Sequence, residues 1–147
     1  MANYGGSHSS NQIQKLPPAT SDANFAQKIN EIIDKLNAFL FAPNEVTSAY
    51  QLVVNREVIA NHASTRVVLT LPLTAQQGDT VTIRGKGAAG WKVAQNALQT
   101  IHGSSNTTTG VTGSIASGAT YNCVTLECIT PSTDWIIATH EGTLTFV

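Results

Sequence analysis

The stretch Asp79-Thr-Val-Thr-Ile83, followed by Gly85-Lys-Gly-Ala-Ala-Gly90 and Trp91-Lys-Val93, recurs in outline as Asn122-Cys-Val-Thr-Leu126, Pro131-Ser-Thr-Asp134 and Trp135-Ile-Ile137. Alternating β-branched residues, a turn-forming break and a tryptophan-led run read as strand, turn and strand, so the pattern predicts two related hairpins. Each would place one tryptophan in a shared core, because indole contributes large apolar area; a glycan platform built on Trp91 and Trp135 is the alternative. Working outward, period-two alternation predicts strands over 50–54, 57–60, 66–71, 80–84, 91–94, 100–102, 122–128, 135–140 and 143–147. The intervening segments are rich in Gly, Asn, Ser, Thr and Pro. Residues 43–147 thus read as a mainly β head, either a β-sandwich or barrel-like.

Upstream the period changes. Phe25, Ile29, Ile32, Leu36 and Phe39 are spaced 4-3-4-3, which predicts one short coiled-coil helix within 21–42. Ile29 and Leu36 take the a positions, Phe25, Ile32 and Phe39 the d positions, and Ile33 and Leu40 widen the stripe at e. A wide stripe favours more than two strands. Thr20, Ser21 and Asp22 are N-cap candidates and Pro43 forbids continuation. Gln27, Lys28, Asn30, Glu31, Asp34, Lys35 and Asn37 form a polar outer face. A lone helix of this length is marginal in water, so it must pack on its own head or meet copies of itself; the 4-3-4-3 seam, widened at e, points to a parallel homotrimeric stalk.

Residues 1–20 hold Gly5-Gly6, a Ser/Asn-rich stretch and Pro17-Pro18, with little apolar surface to offset the entropy of ordering. The segment reads as an extended N-terminal arm. Tyr4, Ile13 and Leu16 are spaced anchors suited to docking on another protein, while a plain polar tail fits the same composition.

Only 12% of residues are charged and the net charge is −1, which leaves no field to attract nucleic acid or an anionic bilayer. No basic run precedes an apolar core at the N-terminus and no apolar stretch is long enough to span a bilayer, so cytosolic synthesis without membrane insertion is expected. Cys123 and Cys128, five apart in a strand, should face opposite ways and serve as buried thiols. The four histidines lack metal-ligand spacing, and no metal or cofactor is expected. Gly85-Lys-Gly-Ala-Ala-Gly90 has the letters of a dinucleotide loop, but Trp91-Lys-Val93 begins a strand where a phosphate-binding helix is required; a hairpin loop is the reading. Ser132, Asp134, His140 and Glu141 crowd near the C-terminus, yet no nucleophile-elbow pattern accompanies them, so no catalytic residue is assigned. The polar segment 103–118 reads as a flexible loop, with a binding tip as the alternative.

Leu69-Thr-Leu-Pro-Leu73, Gly78-Asp-Thr-Val-Thr-Ile83, Gly87-Ala-Ala-Gly-Trp-Lys-Val93, Gln95-Asn96 and Trp135-Ile-Ile-Ala-Thr139 together give the head its signature. Over about Tyr50 to Val147 it resembles the β-rich domains of phage fibre and capsid-decoration (head fibre) proteins. That resemblance implies a non-enzymatic, homotrimeric virion component displayed on the particle surface, attached through its N-terminal portion to the major capsid protein or another virion protein. The matching positions are turn and core residues, so no functional residue is carried over. The expected function is a trimeric fibre or decoration protein; the alternatives are a tail-tip protein binding a receptor or host surface glycan, and a hydrolytic spike acting through Asp134 and Glu141.

Overall fold

A computed structural model describes residues 23–41 and 44–147. The chain is mainly β, with one helix, α1 (Ala23–Phe41), and two sheets. The helix belongs to one compact unit and residues Pro43–Val147 to a second.

The strands are β1 (Asn44–Val46), β2 (Tyr50–Gln51), β3 (Arg56–Ala60), β4 (Val67–Thr70), β5 (Thr80–Gly85), β6 (Trp91–Ala94), β7 (Thr100–His102), β8 (Ser114–Ser117), β9 (Cys123–Thr130), β10 (Asp134–Glu141) and β11 (Thr145–Phe146). The first sheet runs β1-β3-β5-β9-β10-β7 and the second runs β11-β8-β6-β4-β2. From β1 to β8, each strand is followed by one in the opposite sheet. Odd and even strands therefore stack on their own kind, parallel in β1-β3-β5 and in β2-β4-β6.

This corrects one expectation. The strands β5 and β6 do not form a hairpin: β5 lies in the first sheet and β6 in the second, and Gly85–Gly90 carries the chain between them. The second repeat, β9 and β10, is an antiparallel hairpin. The two repeats meet differently from the reading, through β5 and β9, which pair antiparallel with Val81 opposite Leu126 and Ile83 opposite Val124. Thr82 and Thr125 face each other on the outer side with hydroxyls 3.1 Å apart. Because the break after β5 is a crossover and the break after β9 is a turn, Trp91 enters the core from the second sheet and Trp135 from the first. Both are fully buried, with 0% exposure, so neither offers a face for sugar stacking.

One apolar core is shared by both sheets. Val58, Val81, Ile83, Val124, Leu126 and Trp135 come from the first, and Val67, Leu69, Trp91, Val93 and Ile115 from the second. Alternation puts every second residue inward, as in β5 and β9. Cys128 is buried and Cys123 half-buried at the opposite parity. Two strands escaped the sequence reading: β1, three residues long, and β8, which lies inside the segment read as a loop and is buried along its whole length.

The crossovers are pinned by polar side chains that replace ladder bonds. Asn96 Nδ2 donates to Leu71 O at 2.7 Å and Gln99 Nε2 to Pro72 O at 2.8 Å. Asn55 Nδ2 donates to Asp79 Oδ1 at 2.7 Å, while Asn55 Oδ1 accepts from Thr80 N. Gly90 has a left-handed φ of +71°, and a Cβ there would lie 2.0 Å from Ser117 O. Gly78, φ +88°, has open space around it. Gly90→Ala should thus destabilise the fold by about 3 kcal/mol, combining backbone strain with overpacking. Gly78→Ala should cost only the backbone part, about 1 kcal/mol. Urea unfolding midpoints of the two variants test this ordering.

Candidate functional site

In α1 the polar face is solvated, with Lys28 Nζ 3.0 Å from Glu31 Oε2 and Gln27 donating to Glu31. The apolar row is the informative part. Phe25 is 61% exposed, Ile32 58% and Leu36 39%, with Ile29 intermediate. Ala26 and Ile33, one position round the helix, are buried. Three large side chains at a and d positions thus remain partly exposed. The fifth seam residue, Phe39, lies within the helix, but its side chain is outside the described residues. The proposed docking anchors Tyr4, Ile13 and Leu16, and the capping candidates Thr20, Ser21, Asp22 and Pro43, also lie outside them.

The second feature is a cleft at the lateral edge of the head where β7 closes the first sheet and β11 the second. The strand β7 covers only Asp134, Trp135 and Ile136 of its neighbour, whereas β10 continues to Glu141. Past His102 the chain turns away, with Gly103 N donating to Asn106 O at 2.7 Å. The space left along β10 is bounded by that turn and by the returning segment 142–146. It encloses about 450 Å³, lined by Gly103, Ser104, Asn106, Ile137, His140, Gly142, Thr143, Leu144 and Phe146. Part of the segment 103–118 therefore does line a concavity. Sequence reading named that segment but missed Ile137, Leu144 and Phe146, since inward and cleft-facing residues of a strand share one parity.

The residues that crowd near the C-terminus in sequence do not converge. Asp134 Oδ1 lies 3.0 Å from Nε2 of His102, not His140. Ser132 Oγ accepts from Ala75 N and donates to Ala75 O, so its hydroxyl is spent on the β4–β5 crossover. His140 Nδ1 lies 3.1 Å from Gly142 O. The Asp134 carboxyl is held below its ordinary range chiefly by the His102 hydrogen bond, with further bonds from Thr130 and Thr133. Asp79 is lowered similarly, first by the Gln76 N–H and then by Asn55. Among the described residues no group of three or more His, Cys, Asp or Glu could hold a metal, and no helix is long and apolar enough to cross a membrane.

No protein-family model matches the chain, and no curated protein matches it.

A carboxyl lowered in the folded state adds stability above its unfolded titration, near pH 4, and loses it as pH falls through the folded value. Asp134→Asn should therefore flatten the decline of stability between about pH 5 and pH 3. At neutral pH it should cost no more than about 1 kcal/mol, because Asp134 is 36% exposed and solvent screens the pair. Urea midpoints across that pH range read both effects.

Proposed function

We propose that the chain is the subunit of a homotrimeric virion fibre or capsid-decoration protein with no enzymatic role. Residues 1–20 dock on the major capsid protein or another virion protein, 21–42 form a parallel three-helix coiled-coil stalk, and 43–147 project as a sandwich-like head on the virion surface after synthesis in the host cytoplasm. The observation that carries this reading is the exposure of Phe25, Ile32 and Leu36, three apolar seam residues, beside the buried Ala26 and Ile33. Fully burying such a side chain contributes roughly 1.5–3 kcal/mol, and about half of each remains exposed, so the three together give roughly 2–4 kcal/mol per chain toward association. The low charge of the chain is compatible with neighbours close by and gives no support to a nucleic-acid or membrane partner.

The attachment mechanism is avidity. Three arms held at a common stalk face a symmetric particle at high effective concentration, so modest affinity per arm yields durable attachment. The second reading, a tail-tip protein that binds a receptor or host glycan through its head, draws support from the cleft beside Gly103, Ser104 and Asn106. Adsorption to host cells by the isolated particle protein favours it; dispensability for adsorption favours decoration.

Light scattering of the purified chain should give three times the chain mass, and Ile32→Asp should reduce it to one. A monomeric parent, or an unchanged mass in the variant, refutes the stalk. Deleting residues 1–20 should leave a soluble trimer that no longer occupies the particle; retained occupancy refutes the docking role.

A further inference from the structure

The cleft beside β10 has a chemistry of its own. Its apolar walls are Ile137, Leu144 and Phe146, all half-buried and all leaning on the core. Its polar groups are Ser104, Asn106, Thr143 and His140. Among the described residues, the side chains of Ser104, Asn106 and Thr143 have no hydrogen-bond partner in the protein, and His140 uses only Nδ1. Three neutral groups and one imidazole nitrogen are thus left for a ligand.

The walls are preformed. A Cβ at Gly103 would lie 2.8 Å from Cζ of Phe146, so the absence of a side chain there lets the ring edge sit against the turn. Gly142, φ +87°, packs on the Asn122 side chain and sets the return of the chain beneath His140. A cleft already formed before binding limits the entropy lost when a ligand enters.

Three ligand classes can be weighed against this lining. A charged ligand has no counterion, because no Lys, Arg, Asp or Glu lines the space and none occurs between Gln95 and Asn122. A wholly apolar ligand would strip water from Ser104, Asn106 and Thr143 without replacing their hydrogen bonds, which is costly. A ring with an apolar C–H face and hydroxyls round its rim satisfies both kinds of wall. A volume of about 450 Å³ lies within the range of small-molecule sites.

We propose that the cleft bounded by the Gly103–Asn106 turn, the outer edge of β10 and the segment 142–146 binds a neutral saccharide ring. Ile137, Leu144 and Phe146 take the C–H face; Asn106, Thr143 and His140 bond the hydroxyls. The proposal deepens, and rests on, the receptor- or glycan-binding reading of this cleft; it concerns the head alone, so a trimer that binds no sugar and a sugar-binding chain that is no trimer are distinguishable outcomes.

The test is NMR on the full chain titrated with the methyl glycosides of glucose and galactose and with N-acetylglucosamine and N-acetylgalactosamine. At least one should saturate in the millimolar range, shifting the methyl signals of Ile137 and Leu144 and the ring signals of Phe146. Phe146→Ala should abolish binding. Since Phe146 also packs on the core, the deciding variants are Asn106→Ala and Thr143→Val, whose groups bond nothing inside the protein. Each should keep the parent's thermal unfolding and weaken binding roughly five-fold, the loss of about one hydrogen bond. No saturable shift with any of the four sugars overturns the proposal. So do shifts confined to other residues, or affinity unchanged in both surface variants.

Discussion

Every strand from β1 to β8 is followed by one in the opposite sheet, and the rest of the head depends on that alternation. A chain that changes sheets at each step cannot pair neighbours in sequence, so its ladders are built from strands one full circuit apart. Val58 lies beside Ile83, and Val67 beside Trp91. The circuits leave both sheets with one face turned to a common interior, which is why alternate residues suffice to fill it. Such pairing is long-range, so loop closure must precede most of the contacts that reward it, and folding should be slow for the size.

The same alternation explains what closes the molecule and what does not. The outermost strands β1, β2, β7 and β11 have only two or three residues each. Short edges offer little backbone to a passing strand, which guards the head against edge-to-edge aggregation. On the β7 and β11 side, the shortness of β7 against the eight residues of β10 leaves a gap that the chain's last segment roofs but does not fill. The cleft is thus a consequence of unequal strand lengths. Association through the sheet edges is thereby discouraged.

Some residues break local rules without an internal return. Leu98, Val111 and Tyr121 hold left-handed φ values of 70°, 72° and 68°, and are 85%, 66% and 80% exposed. Gly or Asn would hold such turns with less strain, and a buried position would suit the side chains better. The loops bearing Leu98 and Val111 lie together, since Gln95 joins Gly113 through its backbone N–H and Thr109 through its side chain. With Val147, which pairs with Ser114 and accepts from Thr109, they give that end of the head an apolar, uncharged surface. Asn55 and Gly78 hold their positive φ with residues suited to it, whereas Leu98 and Val111 at this end, and Tyr121 beside Gly85, do not.

Period and punctuation determined the helix, the β class and most strand positions. An apolar row at 4-3-4-3 has one low-energy conformation, and alternating β-branched runs between turn formers have another. Even the burial of both tryptophans was legible, because no other residue carries as much apolar surface. Which sheet each strand joins was not legible. Gly85–Gly90 and Pro131–Asp134 are both acceptable as tight turns, and the first is held as a crossover with Gly87 against the His62 backbone in the loop after β3 and Gly90 against Ser117 at the end of β8. The strand β8 was hidden for the same reason: Ser114-Ile-Ala-Ser117 has little intrinsic preference and is a strand because β6 and β11 flank it. The cleft, the Asp134–His102 pair and the dispersal of Ser132 and His140 belong to this second category, since they arise from where non-adjacent strands end, and no local pattern records that.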